Sequence, residues 1–184
     1  MNENKATVAT RRVHAGRVID LNVDTVRFPN GTVGELEIVR HPGASAVVPF
    51  MSDPAGADPQ LVLMRQYRYA AGGIIYEIPA GRLDPGEEPI ACAGRELLEE
   101  TGCIAGNLKH LFTMFTTPGF SDERINVFMA TDLTQGRTAH EPDEFITTHV
   151  MPLSRVLGLI RDGTIADAKT ALSILYVSGF VLGR

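Results

Sequence analysis

Residues 81–103 read GRLDPGEEPIACAGRELLEETGC, and the order of breakers and helix formers in them sets a tight loop ahead of a short helix. Pro79, Gly81, Pro85 and Gly86 turn the chain sharply on the approach. Pro89 suits the first helical turn, where its missing N–H costs nothing. Glu87 and Glu88 lie at the positive end of the helix dipole, which favours them. Gly102 takes the left-handed conformation without strain and serves as the stop. The helix between these ends runs about three to four turns.

The spacing of the acids on that helix is its chemistry. Glu96 and Glu99 are three apart, and Glu96 and Glu100 four apart, so all three carboxylates fall on or near one face. Like charges so placed destabilise an isolated helix by a few tenths of a kcal/mol per pair, and they raise one another's pKa values. A counter-charge is expected. Arg95 is one candidate, pairing with Glu99 on its own helix or reaching back to Glu87. A hard divalent cation such as Mg²⁺, which takes oxygen ligands, is the other.

Outward from this stretch, short strand-like runs dominate the N-terminal side. RVIDLNVDTVRF and ELEIVR flank Pro29-Asn30-Gly31, and Asn-Gly between alternating apolar residues predicts a hairpin. Residues 46–50, 61–68 and 74–78 predict further strands before the loop. On the C-terminal side residues 108–116, 125–130 and 145–150 predict strands, with a long polar loop over 133–143. Two helices are predicted over 154–162 and from 167 to about 182.

Composition narrows the class. The 184 residues are 44% hydrophobic, enough for one good core. A net charge of −5 argues against nucleic-acid binding, which wants a basic stripe. The opening MNENKATVATRRV has no apolar segment of the signal-peptide kind. The longest apolar stretch, 171–182, is too short to span a bilayer, so it reads as a buried or dimer-facing helix. Cys92 and Cys103 lack metal or redox spacing and read as structural thiols, which fits a cytoplasmic setting. The five histidines are scattered and receive no role.

Gly81, Glu87, Arg95, Glu96, Leu97, Glu99, Glu100 and Gly102 fall at the spacing of the Nudix box, G-x5-E-x7-R-E-U-x-E-E-x-G-U, where U is bulky and aliphatic. The chain therefore resembles a Nudix hydrolase. The last box position holds Cys103, a smaller hydrophobe than usual. The segments HPGASAVVP (from His41), LMRQYRYAAG (from Leu63), YEIPAG (from Tyr76) and TTPGFSDE (from Thr116) resemble ADP-ribose pyrophosphatases. Pro118, sixteen positions after Gly102, stands where that group carries a proline. The resemblance runs from about residue 12 to residue 180.

The resemblance implies an α/β/α sandwich with a mixed sheet, here with a small added N-terminal β-sheet. Residues 1–40 are expected to supply N-terminal strands for dimerisation, and 41–184 the catalytic domain. It also implies metal-dependent attack of water on the diphosphate of ADP-ribose, giving AMP and ribose 5-phosphate. Mg²⁺, or Mn²⁺, is expected on Glu96, Glu99 and Glu100, with the backbone carbonyl of Ala80 and an orienting role for Arg95. The general base is expected on the loop HEPDEF as Glu144, with Glu141 behind it. Arg68 is expected to contact a phosphate or the terminal ribose, and Glu77 to accept from a ribose or adenine donor unless its role is internal. Glu123 is a further substrate contact of that kind. Phe28 is the candidate for adenine stacking, against a plain core or interface role. Two alternatives remain: another nucleoside diphosphate sugar or dinucleotide as substrate, and a non-catalytic sensor of the same fold. Binding-only relatives tend to lose the helix glutamates, and here all three remain.

Overall fold

The computed structural model describes residues 6–16, 19–139 and 145–184. They group into two compact units: Met1–Gly43 with Met114–Ile125, and Ala44–Thr113 with Asn126–Arg184.

The first unit carries an antiparallel sheet of β1 (Thr7–Ala15), β2 (Asp20–Arg27) and β3 (Val33–Arg40), in that order. The hairpin expected at Asn30-Gly31 is present. Gly31 has a φ of 86°, which glycine alone adopts freely. The Asn30 side chain accepts from the Thr32 N–H at 3.0 Å, closing the turn. β1 is not visible in the hydrophobic pattern, because all nine of its residues are exposed and no buried face imposes an alternation. Residues 114–125 attach through β3. The Val39 N–H donates to Phe120 at 2.7 Å, and Asp122 accepts from Arg40 at 3.0 Å and from the His41 N–H at 2.8 Å.

The second unit begins with β4 (Ala44–Pro49), β5 (Gln60–Arg68), β6 (Gly73–Glu77) and β7 (Ala80–Arg82). Helix α1 (Pro89–Thr101) and the short strand β8 (Cys103–Ile104) follow. Next come β9 (Asn107–Phe115) and β10 (Arg124–Thr131), whose residues 114–115 and 124–125 are counted with the first unit, then the short β11 (Thr134–Gln135) and β12 (Ile146–Pro152). Helices α2 (Leu153–Arg161) and α3 (Ala168–Tyr176) end the unit, and a π-helical turn extends α3 over Val177–Val181. The sheet orders are β7-β4-β10-β9, β12-β5-β6 and β11-β8. This is a mixed α/β fold with a separate N-terminal sheet, the class expected from the sequence. Among the described residues no helix is long and apolar enough to cross a membrane.

β4 positions the site. All six of its residues are buried, as for a strand covered on both faces. Val47 packs with Ala93 and Leu97 of α1, with Cys103, and with Phe128 and Ala130 of β10. Alternation turns Ala46 and Val48 to the opposite face, and α3 packs against β4 and β6. Leu97 is fully buried, so truncating it to alanine costs about 2–5 kcal/mol. Cys103 is buried in the same cluster, as its small apolar side chain predicts.

Candidate active site

The loop and helix of residues 81–103 fold as their punctuation requires. Pro89 occupies the first turn of α1, and Gly102 caps its end at φ 71°, its N–H donating to the Leu98 carbonyl. The start of the loop, read as a turn, is the strand β7, paired antiparallel with β4 through Ser45↔Gly81 and Ala46↔Ala80. This pairing brings Ala80 and Gly81 beside the carboxylate face of α1. An added Cβ at Gly81 would stand 1.9 Å from Glu96 Oε1, so the glycine is required for space. Glu100 is buried, and its Oε2 accepts from the Ala80 N–H at 2.9 Å.

Arg95 ties these parts together. Its Nε and Nη2 donate to both Glu87 oxygens at 2.9 Å each, and its Nη1 donates to Glu96 at 2.7 Å and to Glu99 at 3.1 Å. Nη2 also reaches the Arg82 carbonyl at 3.1 Å. Both partners considered from the sequence, Glu87 and Glu99, are thus engaged at once. The bidentate fork suits guanidinium geometry. Its hydrogen bonds to Glu87 and then Glu96 raise the Arg95 pKa above its ordinary value, against the opposing effect of burial. Conversely, the hydrogen bond from Arg95 holds the Glu87 carboxyl down to about 2, helped by the Asp84 N–H.

The donor set suits a hard cation. Glu87, Glu96 and Glu99 place three carboxylates around one guanidinium, with Glu100 on the Ala80 N–H, and the half-buried excess of negative charge favours a further positive ion. Every candidate ligand is an oxygen, which suits Mg²⁺ or Mn²⁺. Among the described residues no three acidic, histidine or cysteine side chains converge on one point. The physical reason is that Glu96 and Glu99 are turned to Arg95, and Glu100 to the Ala80 N–H.

A second charged group lies on β5, β6 and α3. Arg68 donates from Nε and Nη2 to the two oxygens of Glu77, at 3.0 and 2.8 Å. Glu77 is buried, with 4% of its side chain exposed. The hydrogen bond to Glu77 raises the Arg68 pKa, and the negative charges of Glu77 and then Glu100 add to it. Lys169 bridges Glu77 at 3.1 Å and Asp167 at 2.8 Å. Sequence reasoning placed Asp167 at a helix start and passed over Lys169, since nothing in the spacing shows that α3 returns to β6.

The remaining candidates lie in the other unit or outside the described residues. Phe28 and Glu123 belong to the first unit. The ring of Phe28 lies where a Cβ on Gly34 of its own hairpin would meet it at 2.8 Å, and Glu123 accepts from the Thr116 hydroxyl at 2.8 Å. Glu141 and Glu144 lie outside the described residues. Burial pushes the Cys92 thiol up to about 11, which makes it inert and agrees with its structural reading.

With the box on α1 and its supporting strands in place, comparison with known proteins defines the class. Residues 40–172 match the NUDIX domain model, and the chain belongs to the Nudix hydrolase family. It is 39% identical over 173 residues to the ADP-ribose pyrophosphatase of Bacillus subtilis, covering 93% of this chain and 91% of that protein. It is 38% identical over 173 residues to the methanol dehydrogenase activator of Bacillus methanolicus, with the same shares. A solved structure of an ADP compounds hydrolase superposes with a TM-score of 0.82 at 24% identity, covering 96% of this chain and 94% of that one. This last likeness establishes the fold.

Proposed function

We propose that the protein hydrolyses the diphosphate of ADP-ribose to AMP and ribose 5-phosphate in a reaction dependent on Mg²⁺ or Mn²⁺. The observation that carries this reading is a box with every glycine, arginine and glutamate position filled, clamped by Arg95, in a chain 39% identical over nearly its whole length to a named ADP-ribose pyrophosphatase. Water attacks one phosphorus, the P–O bond to the bridging oxygen breaks, and that oxygen leaves with the bonding pair. The bound metal supplies charge neutralisation at the phosphate oxygens and a lowered pKa for the attacking water.

The chain's own residues then have separate tasks. Glu96, Glu99, Glu100 and the Ala80 carbonyl hold the metal. Arg95 orients Glu96 and Glu99 and keeps the loop bearing Glu87 against the helix. The Ala80 N–H fixes the rotamer of Glu100. Arg68, oriented by Glu77, presents its guanidinium to a phosphate or the terminal ribose. Glu144, or Glu141, takes the proton of the attacking water, while Phe28 and Glu123 belong to substrate binding. A homodimer is part of the reading. β1 is an exposed edge strand, with Val8 and Val13 about half exposed, and such edges pair readily with another strand.

A second reading keeps the chemistry and changes the substrate to another nucleoside diphosphate derivative. It is favoured by the likeness to the GDP-mannose pyrophosphatase of Klebsiella pneumoniae, 35% identical over 135 residues. Incubation with ADP-ribose, ADP-glucose, GDP-mannose and diadenosine polyphosphates, with and without Mg²⁺, separates the two. Preferred release of AMP and ribose 5-phosphate supports the first reading, and faster cleavage of another member supports the second. Silence on all of them refutes both.

A further inference from the structure

The first turn of α3 is built against the end of β6 by two adjacent residues. Lys169 meets Glu77 at 3.1 Å, and Thr170 Oγ1 accepts from the Ile78 N–H at 2.9 Å. Asp167 caps the helix and organises both contacts. It accepts from the Thr170 N–H at 3.0 Å, from the Thr170 hydroxyl at 2.6 Å and from Lys169 at 2.8 Å. Residues 77 and 78 lead directly through Pro79 to Ala80, whose N–H holds Glu100. The Pro79 carbonyl is in turn bonded by the Val47 N–H at 2.9 Å. One helical turn therefore secures the segment that carries both the partner of Arg68 and the partner of Glu100.

Charge makes the arrangement specific. Glu77 is buried and shared by two cations, Arg68 on one side and Lys169 on the other. Lys169 itself is only 14% exposed, so the interaction is weakly screened. Were Glu77 opposed by Arg68 alone, the pair would be neutral. Lys169 and Asp167 add a second, equally neutral pair, so their effect is to hold the Glu77 carboxylate in place and fix the direction in which it meets Arg68. Two of the five N–H groups of Arg68 are used on Glu77.

We propose that Lys169, anchored by Asp167, is a positioning residue for anion recognition: it shares Glu77 with Arg68 and so fixes the orientation in which Arg68 meets a nucleoside diphosphate. This rests on the reading of Arg68 as a substrate contact. The burial of Asp167 opposes its ionisation, but Lys169 and the Thr170 bonds prevail and hold its carboxyl below the ordinary value, so the anchor stays charged at neutral pH.

The test measures KM and kcat for ADP-ribose with Mg²⁺, and the Kd of ADP by calorimetry, in the wild type, Lys169→Met and Lys169→Arg. In Lys169→Met, KM and the Kd of ADP should rise about tenfold while kcat stays within about twofold, because ground-state binding is what is lost. Lys169→Arg should restore most of the affinity by keeping the charge. If Lys169→Met does not fold, the double variant Lys169→Met, Asp167→Asn removes that outer ion pair as a whole and leaves Glu77 to Arg68. It should fold and still bind ADP about tenfold more weakly. Wild-type Kd in a folded Lys169→Met or in the double variant would overturn the proposal, as would failure of Lys169→Arg to recover affinity. Absence of ADP-ribose turnover by the wild type would count against the functional reading alone, because the ADP affinities still decide the role of Lys169.

Discussion

Gly81→Ala isolates the geometry of the carboxylates from the stability of the fold. Gly81 has a negative φ and lies in β7, so alanine meets no backbone strain there. The clash is with one side chain: the new Cβ falls 1.9 Å from Glu96 Oε1, 2.0 Å from its Cδ and 2.4 Å from Oε2. Ordinary contact begins near 3.4 Å, so the carboxylate must retreat by about 1.5 Å. The far end of a glutamate moves cheaply, and the folding cost should stay near 1 kcal/mol, a typical value for a single substitution. Function has no such latitude, since a misplacement of about 1 Å in a reacting constellation costs about 100-fold in rate. We expect kcat for Mg²⁺-dependent diphosphate hydrolysis to fall by at least about 100-fold, with the thermal midpoint lowered by only a few degrees. Steady-state kinetics and calorimetric melting, run on the same preparation, measure both. A folded Gly81→Ala enzyme within about threefold of wild-type kcat would refute the reasoning, because Glu96 would then tolerate displacement.

The other expectations concern the same clamp and the assembly. Glu100→Gln keeps an oxygen for the Ala80 N–H and should melt near the wild-type temperature, yet lose about 10- to 100-fold or more of its metal-dependent turnover; near-normal turnover would remove Glu100 from the site. Because Arg95 holds the Glu87 pKa at about 2 against an ordinary 4.5, the clamp contributes stability above about pH 4.5 and loses it as pH falls through about 2. The gap in melting temperature between wild type and Arg95→Gln should therefore shrink across that window, and a gap that is constant with pH would sink the assignment. In light scattering the chain should run at about twice its monomer mass of 19.9 kDa, and a monomeric mass would dismiss the role given to the N-terminal strands.

Much of the fold was legible because its signals are local. Asn30-Gly31, the alternating runs on either side and the Pro89-to-Gly102 helix each carry their own instruction in adjacent residues. β1 and β7 were missed for opposite reasons. β1 is exposed throughout and has no buried face to write a pattern. β7 is three residues long and is defined only by its pairing with β4. The final helix was expected to run evenly to about residue 182, yet it loosens into a π turn at Val177–Val181. There Ser178 Oγ donates to the Arg184 carbonyl, a contact that no helical period encodes.

By itself the sequence determined the loop, the helix and the common face of Glu96, Glu99 and Glu100, because helical period converts spacing into direction without outside help. It also allowed Arg95 two partners, each reachable within a turn or a loop. That Arg95 takes both was decided by tertiary structure, since β7 must first bring the loop back alongside α1. The same holds for the fit of Gly81 against Glu96 and for the Asp167–Lys169–Glu77–Arg68 row. These contacts join residues remote along the chain, and their partners are selected by packing across sheets and helices rather than by any interval between residues.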